Sequence, residues 1–251
     1  ILGKMKGYDV FVSDKKEIDE NLKGFLNREG IQWEAGKHSI EAMKSADFII
    51  KSPGISSDSY IIKKLIHEGK DIISEIEFAS RYTSAILIGI TGTNGKTTTT
   101  MLTYKILKDA GLNVGIAGNI GDSFAFQVAQ NNFDYYVLEI SSFQLDDICE
   151  FVPHISVITN ITPDHLDRYN YNFDKYIKSK LKILRNQSET DFFLFNTGDP
   201  VLKKAIKKEN IKPQQIPLGV GKDLEGVSVK EDQIIIKHKK KKIMINSVQF
   251  S

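Results

Sequence analysis

Residues 88 to 99 read Ile-Gly-Ile-Thr-Gly-Thr-Asn-Gly-Lys-Thr-Thr-Thr, so that an apolar run passes through glycines into a lysine followed by hydroxyl side chains. Residues 85–90 predict a buried strand, and residues 97–110 predict a helix. Gly92 and Gly95 would then let backbone N–H groups close around phosphate oxygens at the N-terminus of that helix. The stretch therefore predicts a strand, a phosphate-binding turn and a helix.

Two side chains in this stretch carry the expected chemistry. Lys96 stands where it would reach the outer phosphates of a nucleotide, and the Thr97 hydroxyl stands where it would bind Mg²⁺. The strict pattern Gly-x-x-x-x-Gly-Lys-[Ser/Thr] fails by one position, because Ile90 occupies the place of the first glycine and Gly89 lies one residue earlier. The alternative is an ordinary glycine-containing turn, which the lysine and the three hydroxyl side chains disfavour.

The composition is that of a globular protein without a strong charge bias. The chain has 251 residues, of which 41% are hydrophobic, which suits one large domain or two ordinary ones. With 34 basic and 32 acidic side chains the formal net charge is +2, so neither nucleic acid nor an anionic membrane is predicted as a partner. Any phosphate binding must therefore depend on a local group of residues and not on the overall charge of the chain.

Cysteine usage and hydropathy bear on the cellular location. Cys149 is the only cysteine, which predicts no internal disulfide and favours a reducing cytosol; we expect it to be a small core side chain. No apolar run approaches the roughly 20 residues of a membrane span. Residues 1–7 lack the apolar core of a signal peptide. We expect a soluble, cytoplasmic and monomeric protein.

Strands and helices alternate along the chain, which predicts parallel sheets covered by helices. A polar stretch at residues 80–84 marks the expected boundary between a unit of residues 1–81 and a larger unit of residues 82–251. In such sheets ligands bind beyond the carboxyl ends of the strands. The predicted strands are 8–13, 47–51, 71–74, 85–90, 114–117, 135–140, 155–161, 191–195, 215–218, 233–238 and 242–246, and the predicted helices are 17–28, 58–68, 97–110, 122–131, 173–186 and 199–209.

Carboxylates and a histidine stand at the ends of two predicted strands. Residues 135–138 deliver Glu139, which beside a phosphate loop would be a ligand for Mg²⁺, because this ion prefers hard oxygen donors. A later strand leads into Asp164, His165 and Asp167. His165 would bind a metal or orient a reacting group, with the flanking acids as its partners. A helix-capping glutamate and a structural histidine are the alternatives.

Two further positions are weaker signals by themselves. Asn119 lies between Gly118 and Gly121, which would permit close backbone approach to a ligand that the asparagine side chain recognises. Turns of this composition are common, however. Lys180 lies in the predicted helix 173–186 beside other lysines, and charge spacing alone predicts that all of them face solvent.

Five short segments are distinctive when taken together, namely Thr91-Gly-Thr-Asn-Gly-Lys-Thr97, Gly118-Asn-Ile-Gly121, Leu138-Glu-Ile-Ser-Ser-Phe-Gln-Leu145, Asn160-Ile-Thr-Pro-Asp-His-Leu-Asp-Arg-Tyr169 and Lys180-Leu-Lys-Ile183. In this combination they resemble the ATP-dependent Mur ligases. The resemblance covers nearly the whole chain in order. Through Ser-Ser-Phe-Gln-Leu it is closest to the members of the family that add D-glutamate.

The resemblance implies both a fold and an activity. The fold would be α/β, with a small Rossmann-like N-terminal domain that holds the UDP part of the substrate, followed by a P-loop-type central ATPase domain with a mostly parallel sheet. The activity would be ATP-dependent amide-bond formation between UDP-N-acetylmuramoyl-L-alanine and D-glutamate through an acyl phosphate. This reaction belongs to peptidoglycan precursor synthesis, and so to cell wall biogenesis, cell shape and cell division.

The resemblance also implies roles for individual residues around ATP and two Mg²⁺ ions. Thr97 and Glu139 would hold the first Mg²⁺, and His165 with a carbamylated Lys180 would hold the second. Lys96, His165 and Lys180 would be catalytic. The residues expected to bind ATP are Thr93, Asn94, Gly95, Lys96, Thr97, Thr98 and Thr99, and those expected to bind the muramoyl substrate are Asp14, Ser52, Gly54, Asn119, Ser141 and Gln144.

Departures from the family pattern lead to a further expectation. The strand and glycine-rich turn that would precede Ile1 are absent, and Lys15 stands where the family often has a small hydroxyl residue. The rest of the central domain and a C-terminal domain that binds D-glutamate would follow Ser251. We therefore expect this chain alone to be inactive.

Alternatives remain at this point. The protein would be a sibling Mur ligase or a folylpolyglutamate synthase if another amino acid is added, and a nucleotide-binding module if there is no turnover. A generic P-loop ATPase or GTPase would not explain Ser-Ser-Phe-Gln-Leu or Pro-Asp-His-Leu-Asp-Arg-Tyr.

Overall fold

The computed structural model describes residues 1–221, 224–230 and 233–246, and it alternates helices with strands over most of this length. Short 3₁₀ turns occur at Leu166–Tyr169 and Lys182–Leu184. The helices are α1 (Leu2–Met5), α2 (Glu20–Arg28), α3 (Ile40–Lys44), α4 (Tyr60–His67), α5 (Glu75–Ser80), α6 (Lys96–Asp109), α7 (Phe124–Gln130), α8 (Ser142–Asp146), α9 (Phe173–Leu181) and α10 (Pro200–Ile206). The strands are β1 (Phe11–Ser13), β2 (Gln32–Glu34), β3 (Phe48–Lys51), β4 (Asp71–Ser74), β5 (Ile86–Thr91), β6 (Val114–Gly118), β7 (Tyr135–Glu139), β8 (Ile155–Ile158), β9 (Phe192–Asn196), β10 (Gln214–Val220), β11 (Val227–Lys230), β12 (Gln233–His238) and β13 (Lys241–Asn246).

The largest sheet follows the order β13-β12-β11-β10-β9-β8-β5-β7-β6. Every neighbouring pair from β6 to β11 is parallel, whereas the pairs β11–β12 and β12–β13 at one edge are antiparallel. The predicted α/β class with a mostly parallel central sheet is confirmed. After β5 the chain builds β6 and β7 on one side and then continues with β8 on the other. The carboxyl end of β5 is therefore a topological switch point, where open α/β sheets bind their ligands.

Alternating side chains of the central strands supply a core on each face of this sheet. Leu87 packs in a large apolar cluster with Leu138 of the neighbouring strand β7. Ile88 and Ile90 belong to a second cluster, against which the α6 residue Leu107 packs. Because β5 is buried on both faces, the predicted phosphate-binding turn that follows it starts from a well-packed strand.

The N-terminal part contains two separate pairs of parallel strands, β1 with β2 and β3 with β4. The strand predicted at residues 8–13 begins later, at Phe11. The elements β2, α3, α5, α8 and β11 were not predicted. The division of the chain into units of residues 1–81 and 82–251 stays a prediction. Residues 222–223, 231–232 and 247–251 of the second unit lie outside the described ranges.

Two smaller expectations have a clear outcome. Cys149 was expected in the core, and this is wrong, because the residue is exposed. Within the described residues, no helix combines the length and the apolar character needed to cross a membrane.

Candidate nucleotide and metal site

The turn after β5 is shaped by two glycines with positive φ. Gly92 has a φ of 143°, and a side chain there would collide with the Thr159 hydroxyl, so only glycine fits. Gly95 has a φ of 78° and immediately precedes α6. The backbone N–H groups of Thr93 and Asn94 donate to the main-chain and side-chain oxygens of Asn160, at 2.9 and 3.0 Å. The end of β8 therefore braces the turn.

Lys96 is the first residue of α6, and its side chain folds back onto the turn. Its Nζ donates a 2.8 Å hydrogen bond to the Thr93 carbonyl oxygen. Thr97 and Thr98 are exposed beside it, whereas the Thr99 hydroxyl donates to the Gly95 carbonyl at 2.7 Å. Lys96, Thr97 and Thr98 thus surround the N-terminus of α6, where anions are favoured, while the Thr99 hydroxyl already has a partner within the helix.

Glu139, the last residue of β7, contacts the first turn of α6. In the register of the sheet it pairs with Ile90 on one side and Gly118 on the other. Its carboxylate is only 2% exposed and accepts hydrogen bonds from Thr97 Oγ1 at 2.7 Å and Asn119 Nδ2 at 2.8 Å. A hydroxyl and a carboxylate in direct contact form an oxygen donor set that fits Mg²⁺.

Lys180 is buried, which corrects the expectation from charge spacing that it faces solvent. It is 2% exposed, its Nζ donates to the Gly92 carbonyl at 2.7 Å, and it lies 4.7 Å from the centre of the Tyr176 ring. Burial, together with the nearby Lys96 charge, lowers the pKa of Lys180 to about 7, although Asp164 opposes this shift. A large share of this amine is therefore neutral near neutral pH.

The other two lysines of the cluster differ from Lys180. Lys178 is exposed, as predicted. Lys182 is only partly exposed, because its Nζ forms a 2.9 Å ion pair with the Asp146 carboxylate. Charge spacing therefore described one of the three lysines correctly.

His165 lies at the edge of the site. Its side chain is 59% exposed, its backbone φ is 48°, and its Nε2 is 3.6 Å from an Asp164 carboxylate oxygen. Its ring centre lies 5.5 Å from that of Phe143. Among the described residues no hydrogen bond or ion pair joins His165 to Lys180, and no group of three or more His, Cys, Asp and Glu side chains forms a metal cluster. The role of His165 as a metal ligand stays a prediction.

Ser141 and Gln144 form a reciprocal cap at the start of α8. The Ser141 N–H donates to Gln144 Oε1 at 2.9 Å, and the Gln144 N–H donates to Ser141 Oγ at 3.3 Å. Gln144 is 5% exposed. Both side chains therefore have a structural task, which the sequence analysis did not identify.

The predicted substrate residues of the N-terminal part lie on two loops. Asp14 follows β1 and accepts a 2.8 Å hydrogen bond from the Lys16 N–H. Ser52 and Gly54 are exposed on the loop after β3. Arg168, which was not predicted as a site residue, donates to the carbonyl oxygen of Gly54 at 3.2 Å. The available signal was that this arginine lies three residues beyond His165, a predicted metal ligand.

Comparison with known protein families agrees with this arrangement. The family described as Mur ligase middle domain matches residues 90–251, and the MurD N-terminal domain matches residues 1–61. The UDP-N-acetylmuramoylalanine--D-glutamate ligase of Bacteroides fragilis is 49% identical over 236 residues, which cover 94% of this chain and 53% of that protein. The ligase of the same name from Christiangramia forsetii is 44% identical over the whole chain and 55% of its own length. The chain thus spans about half the length of these relatives.

Solved structures of low sequence identity share the fold. UDP-N-acetylmuramate:L-alanyl-gamma-D-glutamyl-meso-diaminopimelate ligase from Neisseria meningitides has a TM-score of 0.60 at 18% identity, over 97% of this chain and 81% of that one. The MurF ligase from Thermotoga maritima in complex with ADP has a TM-score of 0.53 at 16% identity, over 98% and 57%. With a family match over well more than half of its residues and the phosphate-binding turn at the switch point of its sheet, this chain belongs to the Mur ligase family.

Proposed function

We propose that the whole protein is an ATP-dependent ligase that joins D-glutamate to UDP-N-acetylmuramoyl-L-alanine in peptidoglycan precursor synthesis. The observation that carries this proposal is the contact between Thr97 and Glu139 beside the phosphate-binding turn, in a chain 44–49% identical to relatives named for this reaction. The substrate carboxylate would attack the γ-phosphorus of ATP and displace ADP, which gives an acyl phosphate. The D-glutamate amine would then displace inorganic phosphate and lose a proton, which gives the amide.

The residues around α6 suit the first step of this reaction. The positive end of α6 and the N–H groups of its first turn would attract the phosphates, and Lys96 could exchange its Thr93 carbonyl partner for a phosphate oxygen. Thr97 and Glu139 would hold a Mg²⁺ ion on the phosphates. This ion, when bound, would offset the charge that builds up when a carboxylate approaches a phosphate. The other turn residues, from Thr93 to Thr99, would surround ATP.

Lys180 suits a second role in the same site. A neutral amine with a pKa of about 7 has a free lone pair, which can bond to the carbon of CO₂ and then lose a proton to give a carbamate. The carbamate oxygens would be hard donors of the kind that Mg²⁺ prefers. We propose that His165 and a carbamylated Lys180 hold a second Mg²⁺ ion near the substrate carboxylate.

We propose that the muramoyl nucleotide lies between the N-terminal loops and the central sheet. Asn119 is the best-supported contact, because it is next to Glu139 at a strand end. Ser141 and Gln144 would take part through the start of α8, where they are already fixed by each other. The remaining proposed contacts are Asp14, Ser52 and Gly54 on the N-terminal loops.

The proposal is tested by assaying the whole protein with UDP-N-acetylmuramoyl-L-alanine, ATP and one amino acid at a time. We expect phosphate release that requires D-glutamate, with no comparable rate for L-lysine, meso-diaminopimelate or L-alanine. Preference for another amino acid would assign the protein to a sibling activity. Nucleotide binding without phosphate release under any of these conditions would favour a binding module and contradict the proposal.

We also propose that the protein works as a monomer in the cytoplasm, where ATP and nucleotide-linked precursors are available. Light scattering of the whole protein as it elutes from a size-exclusion column would measure its molar mass. A molar mass equal to two chains would contradict the proposed monomer.

A further inference from the structure

An arginine from outside the N-terminal part binds the loop between β3 and α4. Arg168 Nη1 donates to the Gly54 carbonyl oxygen and Nη2 to the Pro53 carbonyl oxygen, each at 3.2 Å. These contacts cross 114 and 115 residues of sequence. The planar guanidinium group thus binds two successive backbone carbonyls with a fork of donors, which a lysine cannot reproduce.

Arg168 is itself fixed by the segment that contains the candidate site. It lies in the 3₁₀ turn Leu166–Tyr169, which directly follows His165. The guanidinium carbon lies 4.4 Å from the centre of the Phe143 ring, a distance suited to a cation–π contact. The same ring lies 5.5 Å from the His165 ring and is stacked at 6.0 Å on Tyr169. Phe143 therefore links the arginine to the histidine through one packed group.

A second cation anchors the same loop from its other end. Lys51 is 3% exposed, and its Nζ lies 2.9 Å from both the Asp147 carboxylate and the Ile55 carbonyl oxygen. Asp147 belongs to the central part of the chain, just after α8. The loop is thus tied to α8 by Lys51 and to the turn after His165 by Arg168.

The surroundings of these contacts are open. A cavity lies between α4 and α9, and its lining includes Lys51, Phe143, Asp147 and Arg168. Because the two parts of the chain are not densely packed here, the position of the loop depends on a few polar contacts.

We propose that Arg168 is a positioning residue that sets the distance between the Ser52–Ile55 loop and His165, and thereby aligns the two halves of the muramoyl substrate site. The proposal rests on the proposed function only for its kinetic consequence. In that setting the loop contributes to binding the nucleotide-linked substrate, and His165 contributes near the reacting carboxylate. Arg168 would then control the binding of the muramoyl substrate without contacting ATP.

The kinetic test uses Arg168→Ala and Arg168→Lys in the whole protein. Loss of charge-assisted hydrogen bonds should raise the KM for the muramoyl substrate by about tenfold or more in Arg168→Ala. Arg168→Lys should recover part of this loss, because lysine restores the charge but not both donors, and the KM for ATP should stay within about twofold of its original value. Arg185→Ala is the matched control, since this exposed arginine donates to the Ile148 carbonyl, within the central part.

A second measurement does not depend on turnover. Hydrogen–deuterium exchange of the amides at residues 52–59 should be several-fold faster in Arg168→Ala than in the original protein, and unchanged in Arg185→Ala. Unchanged exchange, or a KM for the muramoyl substrate within twofold of the original, would overturn the proposal, as would an equal rise in both KM values. If the original protein does not ligate D-glutamate, the proposed function fails, while the exchange measurement still decides whether Arg168 holds the loop.

Discussion

Thr97 Oγ1 donates a 2.7 Å hydrogen bond to Oε2 of Glu139, although the two residues are 42 positions apart. The contact exists because β5 and β7 are parallel neighbours, which places the helix that follows one strand against the last residue of the other. Two oxygen-bearing side chains are thereby held together before any ion is bound. Such preorganisation reduces the reorganisation that binding a metal ion would require.

Glu139→Gln should remove metal binding while leaving the fold intact. The amide keeps the shape and can still accept from Asn119, so the thermal midpoint should change little. Losing one preorganised charged group typically lowers turnover by about a hundredfold to a thousandfold. Steady-state rates across a Mg²⁺ titration of the whole protein would measure this. Asp134→Asn, at an exposed position just before the same strand, is the control, and similar rates for both variants would contradict the role of Glu139.

Lys96→Ala should abolish turnover, whereas Lys241→Ala should not change it. Lys96 is next to the phosphate-binding turn, while Lys241 is exposed on the edge strand β13. Removing a cation that offsets charge on the transferred phosphoryl group should again lower the rate by about two to three orders of magnitude. The measurement is phosphate release with saturating substrates. Equal activity of the two variants would show that the turn is not the nucleotide site.

Carbamylation of Lys180 should depend on pH around its lowered pKa. Because the amine loses its proton near pH 7, ¹³C-labelled CO₂ should give a carbamate signal that is strong above that pH and declines below it. The signal should be absent in Lys180→Ala, whose activity a short-chain carboxylic acid should partly restore by supplying oxygen ligands. Lys178→Ala is the appropriate control, since Lys182 pairs with Asp146. Normal turnover of Lys180→Ala would refute the proposed role.

Glu77→Gln should lower stability at neutral pH. The Glu77 carboxylate is fully buried, and its Oε2 accepts from the N–H groups of Cys149, Glu150 and Phe151 while Arg81 binds Oε1. Burial by itself would raise its pKa, but these donors outweigh burial and hold the pKa below its usual value. Breaking such a set should cost about 1–3 kcal/mol in the free energy of unfolding.

The pH dependence of this effect has a definite sign. A lowered pKa in the folded state stabilises the protein above the unfolded value, about 4.3 for glutamate, and the stabilisation disappears as the pH falls through the folded value. The difference in free energy of unfolding between Glu77→Gln and the original protein should therefore shrink below about pH 4. Glu150→Gln, at an exposed position, should have little effect at any pH. A constant difference down to low pH would contradict this explanation.

The sequence was sufficient to place the glycine-rich turn and Glu139 at the ends of two strands, because both follow apolar runs whose ends meet at one edge of a parallel sheet. It was insufficient for Lys180, since the spacing of lysines along a helix does not reveal which of them the turn at Gly92 covers. It also missed β2, in which Trp33 lies between two polar residues. Three residues give too short a pattern to distinguish a strand from a loop.

Asn119 is joined to Glu139 twice, since its main-chain N–H donates to the Glu139 carbonyl at 2.8 Å and its side-chain amide donates to the carboxylate at 2.8 Å. An aspartate at position 119 would set two carboxylates against each other, so that one of them would hold a proton and compete with a metal ion for the same oxygens. The contacts with Glu139 therefore restrict which side chains can replace Asn119, apart from any contact with the substrate. During evolution, a lineage that replaces one member of this pair is expected to replace the other as well.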